Sequence, residues 1–273
     1  MGIELDQTVY ALDSTTIDLC LALFPWARFR SAKAAIKLHT LLDIRGPIPT
    51  MITISEGKQA DVLILDQLVP EPGAFYVMDR GYVDFARLFQ FTLASAFFVT
   101  RTKSGIKLNR LESRPVDRTT GIRSDHIVWL TNPKSVRHYP DRLRRVAYRV
   151  PEDGKVLVFL TNNFELPALV IAQLYKLRWR VELFFKWIKQ NLRIKHFFGT
   201  TDNAVKTQVW ISICVYVLVA IVRKELRLEL SLSQILQILS VNAFEQVPLA
   251  ELVAKTASRE DILDSPNQLI LWH

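Results

Sequence analysis

The sequence predicts an α/β protein, a mixed sheet with helices on its faces, and three observations support this class. Continuous apolar runs end abruptly in acidic residues at Asp13 and Asp79, which is typical of strands that begin or cross a buried sheet. The segment from Leu174 to Arg193 lacks Gly and Pro and repeats its apolar residues at helical spacing. Hydrophobic residues make up 49% of 273 residues, enough for one large domain or a domain with an insertion.

The first third of the chain predicts five strands. Val9 to Asp13 is a short strand that leads into a polar turn. Ala35 to Asp43 and Pro49 to Ser55 form a hairpin, and Asp61 then caps a helix that continues to Val69. A fourth strand ends at Asp79. Asp84 caps the next helix, and residues 96–101 form the fifth strand.

Residues 103–151 change character, because they are basic and rich in turns, with short β-like pieces. This stretch is too long for an ordinary connection, so the sequence predicts a β-rich insertion, followed by a strand from Val156 to Thr161. Its arginines suit DNA contact. Trp129 has two interpretations: it stacks on an exposed base, or it packs in the core as most strand tryptophans do.

The helix from Leu174 to Arg193 presents two distinct faces. At about 100° per residue, its apolar positions form a core-facing stripe. The stripe consists of Leu174, Leu177, Val181, Phe184, Phe185, Ile188 and Leu192. Beside it lies a charged arc of Tyr175, Arg178, Glu182 and Lys189, with Lys186 and Arg193 close by. The arc is either a solvated surface or a site for phosphate and metal, since cations hold phosphate oxygens and a carboxylate holds Mg²⁺.

Composition narrows the class of partner. The net charge of +8 and the sequence pI of about 9.5 favour a polyanion. Cys20 and Cys214 lie in apolar runs without neighbouring His or Cys, so we expect buried thiols and neither a disulfide nor a zinc site. The longest apolar run, Val209 to Val222, falls short of the roughly twenty residues that span a bilayer. We therefore expect a buried helix, no membrane partner and a cytoplasmic protein.

Three acids stand out as candidates for one site. Asp13 and Asp79 follow apolar strands, where open α/β sheets place ligands, and Glu182 lies on the charged arc. Each has an ordinary interpretation, since an Asp after a strand is often a turn residue. Together they can bind two Mg²⁺ ions about 3.5 to 4 Å apart, a site that activates water or a hydroxyl against a phosphodiester.

The chain resembles the DDE insertion-sequence transposases of the ribonuclease-H-like, retroviral-integrase-like superfamily. Tyr175, Arg178, Glu182 and Lys189 fit the pattern Y-x-x-R-x-x-x-E followed after six residues by K, which marks a cut-and-paste group. Four other stretches are also similar to this family. They are L-D-S-T-T-I-D-L around Asp13, K-L-H-T-L-L-D from Lys37, V-M-D-R-G-Y around Asp79 and G-T-T-D-N-A-V-K-T-Q from Gly199.

The resemblance implies a ribonuclease-H-like catalytic core over residues 1–102 and 156–225, a β-rich insertion over 103–155 and a helical C-terminal segment over 226–273. It implies that Asp13, Asp79 and Glu182 bind two Mg²⁺ ions, for which Mn²⁺ substitutes. Tyr175, Arg178 and Lys189 would contact DNA, and we add Lys186 and Trp129 as DNA-binding candidates, Trp129 against a flipped base. The implied reaction is hydrolysis at the transposon ends followed by strand transfer of the freed 3′-hydroxyl.

The resemblance also implies partners and a location. We expect double-stranded DNA as the substrate, both end repeats and target, bound by a homodimer in a bacterial cytoplasm and at the nucleoid. Relatives carry an N-terminal DNA-binding region, whereas only residues 1–12 precede Asp13. This departure predicts a truncated or split product or a catalytic core, and leaves open a DNA- or partner-binding inhibitor. A nuclease or resolvase on the same fold explains the acids but not the spacing of Tyr175, Arg178 and Lys189.

Overall fold

The computed structural model of the chain describes residues 6–192, 194, 197–248 and 251–252. Within them, ten strands form one sheet. The strands are β1 Val9–Leu19, β2 Arg28–Arg30, β3 Lys33–Asp43, β4 Ile48–Glu56, β5 Phe75–Met78, β6 Phe97–Arg101, β7 Leu108–Ser113, β8 Ile122–Leu130, β9 Leu143–Arg149 and β10 Val156–Thr161. The α-helices are α1 Phe85–Leu93, α2 Pro133–His138, α3 Ala168–Leu177, α4 Trp179–Asn191, α5 Asp202–Glu225 and α6 Leu232–Val241.

The sheet is mixed. Its order is β2-β3-β1-β5-β6-β10-β9-β8-β7, and β4 pairs with the outer edge of β3. β1 runs antiparallel to β3 and parallel to β5, and β5 runs parallel to β6. The run β4-β3-β1-β5-β6 is therefore a three-stranded antiparallel meander joined to two parallel strands. The prediction of a mixed sheet flanked by helices is confirmed.

The predicted β-rich insertion extends this same sheet. β10 pairs antiparallel with β6 and with β9, and β8 and β7 follow beyond β9. A buried ion pair anchors the strands to the segment before α3: Arg144 donates to both carboxylate oxygens of Asp125 at 2.9 and 2.7 Å. Arg144 also donates to the carbonyl oxygens of Asn163 at 3.3 Å and Leu166 at 2.6 Å. The domain boundaries given above stay predictions.

Two apolar cores lie on opposite faces of the sheet, because side chains alternate along each strand. Helices α3, α4 and α5 cover one face. The apolar stripe predicted for the helix from Leu174 to Arg193 packs there, with Leu177 and Leu192 only partly buried. The 3₁₀ helix Asp61–Gln67 and α1 cover the other face. The sheet that carries Asp13 is therefore covered by packed elements on both faces.

Three predicted element boundaries were wrong. β1 does not end at Asp13: its pairing with β3 continues to Leu19, so Asp13 lies mid-strand. The single helix predicted from Leu174 to Arg193 divides into α3 and α4 at Arg178. There the backbone hydrogen bonds span three residues instead of four, from Arg178 N to Tyr175 O and from Val181 N to Arg178 O, both at 3.1 Å. Arg193 itself lies outside the described residues. Asp61 begins a 3₁₀ helix without capping it.

The expected burial of two features was also wrong. Both cysteines are exposed, Cys20 just after β1 and Cys214 on the outer face of α5. The predicted buried apolar helix forms α5, but only 33% of its apolar window is buried. By length and composition α5 could cross a membrane, a test that core helices of soluble proteins also pass. Ile213 and Tyr216 pack it on the sheet layer, whereas Leu218 is 61% exposed. Of the predicted C-terminal segment over 226–273, residues 249–250 and 253–273 lie outside the described residues.

Candidate active site

The sheet register brings Asp13 and Asp79 together. The parallel pairing of β1 with β5 ends at Leu12 opposite Met78, so both acids are the next residue on adjacent strands. Neighbouring strands lie about 4.8 Å apart, which places the two carboxylates at one edge of the parallel ladder. The side-chain hydroxyl of Thr100 on β6 donates to the Asp79 carbonyl at 3.1 Å and holds the chain where β5 ends.

Glu182 reaches the same place from the first turn of α4, the helix that packs against β1. Arg178, at the junction of α3 and α4, lies between the acids: its guanidinium donates to Asp13 Oδ2 and, at 2.5 Å, to Glu182 Oε1. The side chains of Arg178 and Asp13 are only 16% and 18% exposed. The charged arc therefore packs against the sheet and is not a solvated surface.

Tyr175 and Lys189 complete the arrangement on either side of Arg178. The Tyr175 hydroxyl lies 3.5 Å from Asp79 Oδ1, and its ring packs on Phe159 with centroids 4.8 Å apart. The ammonium of Lys189 donates to the Thr15 hydroxyl at 2.6 Å and to the Thr16 carbonyl at 2.9 Å. The residues of the Y-x-x-R-x-x-x-E and K pattern thus all face the middle of β1 and the end of β5, where the two aspartates lie.

The protein environment perturbs the titration of this cluster. Burial raises the pKa of Asp13 to about 6, although Arg178 and the Ser14 N–H oppose the rise, and Glu182 and Asp79 add to it through like-charge repulsion. Burial also raises the pKa of the Tyr175 hydroxyl. Carboxylates that crowd in a partly buried site are typical of a place built to receive positive charge.

The donor chemistry of the acids fits a divalent cation that prefers oxygen, since carboxylates from three separate elements face one region. The positions of the described side chains, however, differ from those of a formed metal site. Among the described residues no three Asp, Glu, His or Cys side chains are gathered closely enough to hold an ion as they stand. Arg178 takes one oxygen of Asp13 and one of Glu182, so metal binding requires that it release both.

Two predicted DNA-binding residues lie apart from this cluster. Lys186 is exposed on α4. Trp129 pairs in register with Asn109 on β8 and β7, and its 37% exposure places it at the surface and not in the core. Neither one contacts the acids, and both are free to meet a long substrate.

A second polar cluster was missed by sequence reasoning. Asp61 accepts a hydrogen bond from the Ser14 hydroxyl at 2.6 Å and pairs with Lys37 at 3.0 Å. His39 Nδ1 lies 3.9 Å from the same Asp61 oxygen, and His39 Nε2 is 2.8 Å from the Ser55 hydroxyl. The available signal was the alternation of Lys37 and His39, which places both on one face of β3.

The fold and this site define the class: a mixed α/β domain in which β1, the end of β5 and a later helix bring three acids together. Comparison with known families then identifies the particular one, because residues 4–218 match the Transposase DDE domain. The chain belongs to the family of DDE insertion-sequence transposases. Enzymes of this family generally use a divalent metal ion.

Similar proteins agree with this assignment. The chain is 32% identical over 243 residues to a Sinorhizobium fredii protein that carries the transposase name y4zB, with 88% of the chain and 67% of the relative covered. It is 31% identical over 219 residues to a Geobacillus stearothermophilus protein named for the transposase of insertion sequence element IS5377, with 80% of the chain and 57% of the relative covered. The transposase InsG of element IS4 from Escherichia coli is 24% identical over 169 residues, with 58% of the chain and 37% of the relative covered. The chain thus spans between about one third and two thirds of these relatives.

A solved structure is also similar. The piggyBac transposase synaptic complex with hairpin DNA matches 95% of this chain and 54% of its own chain, with a TM-score of 0.46 and 11% identity.

Proposed function

We propose that this chain is the catalytic part of a DNA transposase that hydrolyses transposon ends and transfers the freed 3′-hydroxyl into target DNA. The observation that carries the proposal is the convergence of Asp13, Asp79 and Glu182 on one sheet edge, with Arg178 bound to two of them. A solvated helix face would leave these groups in water. Here they are partly buried against β1 and β5.

Asp13, Asp79 and Glu182 would hold Mg²⁺, two ions in all, with Mn²⁺ as a substitute. When bound, the metal supplies Lewis-acid activation of the attacking oxygen and stabilises the leaving oxygen. The Ser14 N–H fixes one oxygen of Asp13 at 2.8 Å, which orients the other oxygen toward α4. Arg178 would pass from the carboxylates to a DNA phosphate, a ligand that suits its planar fork equally well.

The other candidates would bind DNA around this centre. Tyr175 and Lys189 flank the acids and would contact the backbone near the cleaved bond, while the exposed Lys186 would meet phosphates further along. Trp129 would stack on an unpaired base. We further propose that two copies act together on the paired transposon ends, and that the protein works in the bacterial cytoplasm, at the nucleoid.

The test uses the purified chain, the inverted repeats that flank its gene and Mg²⁺ or Mn²⁺. We expect nicking or strand transfer that disappears in Asp79→Asn and Glu182→Gln, because each change removes a charge that the metal needs while keeping the side-chain shape. Glu152→Gln is the matched control, an acid 68% exposed and away from the site. Cleavage that persists in both variants would refute the proposal. A chain that binds the repeats without cleaving, and inhibits a full-length transposase, would support the inhibitor instead.

A further inference from the structure

The second polar cluster lies directly behind Asp13. Asp13 faces α4, whereas the next residue, Ser14, points to the opposite face of the sheet, because neighbouring side chains on a strand alternate. There the Ser14 hydroxyl donates to Asp61 Oδ1 at 2.6 Å. Asp61 stands at the start of the 3₁₀ helix Asp61–Gln67, which packs on this face through the buried Ile64. The cluster is thus tied to the folded core and not to a mobile surface.

One residue joins the cluster to the catalytic acid. The backbone N–H of Ser14 donates to Asp13 Oδ1 at 2.8 Å, while its side chain is held by Asp61. Any movement of Ser14 therefore moves the hydrogen bond that fixes the Asp13 carboxylate. Lys37 adds a second restraint, since its ammonium pairs with Asp61 at 3.0 Å and donates to the Gln59 carbonyl at 2.7 Å.

Tyr82 borders the same cluster from the short 3₁₀ helix that follows Asp79. The residue is 2% exposed. Burial, with smaller contributions from Asp13, Asp61 and Asp79, holds the pKa of Tyr82 well above its ordinary value, so the hydroxyl keeps its proton. Tyr82 therefore closes one side of the region behind the acids, whereas the Asp61 side chain is 34% exposed.

We propose that Asp61 is a positioning residue for the transposase reaction, which acts through Ser14 to hold the Asp13 carboxylate in its catalytic orientation. The inference depends on the proposed function, since it assumes that Asp13 binds the catalytic metal. Asp61 works as a hydrogen-bond acceptor and not as a metal ligand, because its oxygen is taken up by Ser14 and Lys37 on the far face of the sheet. Groups that orient metal ligands in this way typically contribute 10- to 100-fold to activity or metal affinity.

The test compares five variants for single-turnover cleavage at saturating DNA, for DNA affinity and for the thermal unfolding midpoint. We expect Asp61→Ala and Ser14→Ala each to slow cleavage by about 10- to 100-fold with DNA affinity unchanged. The double variant should be no slower than either single one, because both changes break the same link. Asp61→Asn should recover most of the rate, since its amide oxygen still accepts from Ser14. Asp66→Ala, on the same 3₁₀ helix but paired with Arg87, is the control and should cleave normally.

Several outcomes would overturn the inference. Asp61→Ala with the wild-type rate would show that Ser14 needs no anchor. An Asp61→Asn variant as slow as Asp61→Ala would show that the negative charge acts directly. Additive losses in the double variant would separate the two residues. A parallel calorimetric titration with Mn²⁺ alone, without DNA, should show the same loss and the same recovery in metal affinity. If the wild-type chain does not cleave at all, the proposed function fails first, while the Mn²⁺ titration still tests the link.

Discussion

The buried ion pair of Arg144 and Asp125 permits a quantitative prediction. The two side chains are 1% and 4% exposed, and Asp125→Ala would leave the Arg144 guanidinium buried with only carbonyl partners. Removing one member of a buried pair typically costs 3–5 kcal/mol, because the remaining charge stays out of water. For a chain of this size each kcal/mol lowers the unfolding midpoint by about 2–4 °C, so we expect a fall of roughly 6–20 °C.

The chain offers a matched control with the same chemistry at the surface. Arg87 donates to both oxygens of Asp66 at 2.7 Å, with side chains 26% and 54% exposed. Asp66→Ala should therefore cost no more than about 1 kcal/mol. Urea denaturation of both variants measures the difference. Equal losses, or a loss below about 1 kcal/mol for Asp125→Ala, would refute the argument from burial. Replacing Arg144 and Asp125 together by Met and Leu should restore much of the stability.

Three further predictions concern the candidate site. In EDTA, the free energy of unfolding of the wild type relative to Asp13→Asn should be highest below pH 4 and should fall as the pH rises through 6. The fall is up to about 3 kcal/mol, because the pKa of Asp13 is raised from 3.8 to about 6 in the folded chain; urea titrations that give a constant difference would contradict this. Arg178→Lys should slow cleavage at least about 10-fold in a gel assay, since one ammonium cannot replace the planar fork that would pass from Asp13 and Glu182 to a DNA phosphate. Trp129→Ala should change stability by less than about 0.5 kcal/mol. The same change should weaken binding of DNA with an unpaired base by about 1–3 kcal/mol in fluorescence anisotropy, and unchanged binding would exclude the stacking role.

Much of the site could be predicted because the sequence patterns that indicate it lie within short segments of the chain. The apolar run before Asp79 and the period of the charged arc both survive in the structure, and the strand Val156–Thr161 was predicted residue for residue. The arc survived even though the helix divides within it. Arg178 keeps helical backbone angles, φ −51° and ψ −31°, so Tyr175 and Glu182 still project toward the same two aspartates.

The rest depends on contacts between residues distant in sequence. Asp61 was assigned as a cap because a helix start was the nearest explanation, whereas its partner Ser14 lies 47 residues away. β1 extends past Asp13 because β3 supplies a partner for every residue as far as Leu19. The polar residues from Ser14 to Thr16 do not indicate this pairing. The exposure of Cys214 likewise follows from which face of α5 meets the sheet, and hydrophobicity alone does not determine that.

The continuity of the sheet has a mechanical consequence. Trp129 on β8 connects through the ladders of β9, β10 and β6 to β5, the strand that Asp79 directly follows, without crossing a flexible linker. Excising β7 to β9 would also leave β10 as an unprotected edge, ready to pair with another chain and aggregate. The added strands are therefore joined by continuous strand pairing to the strand that leads to Asp79.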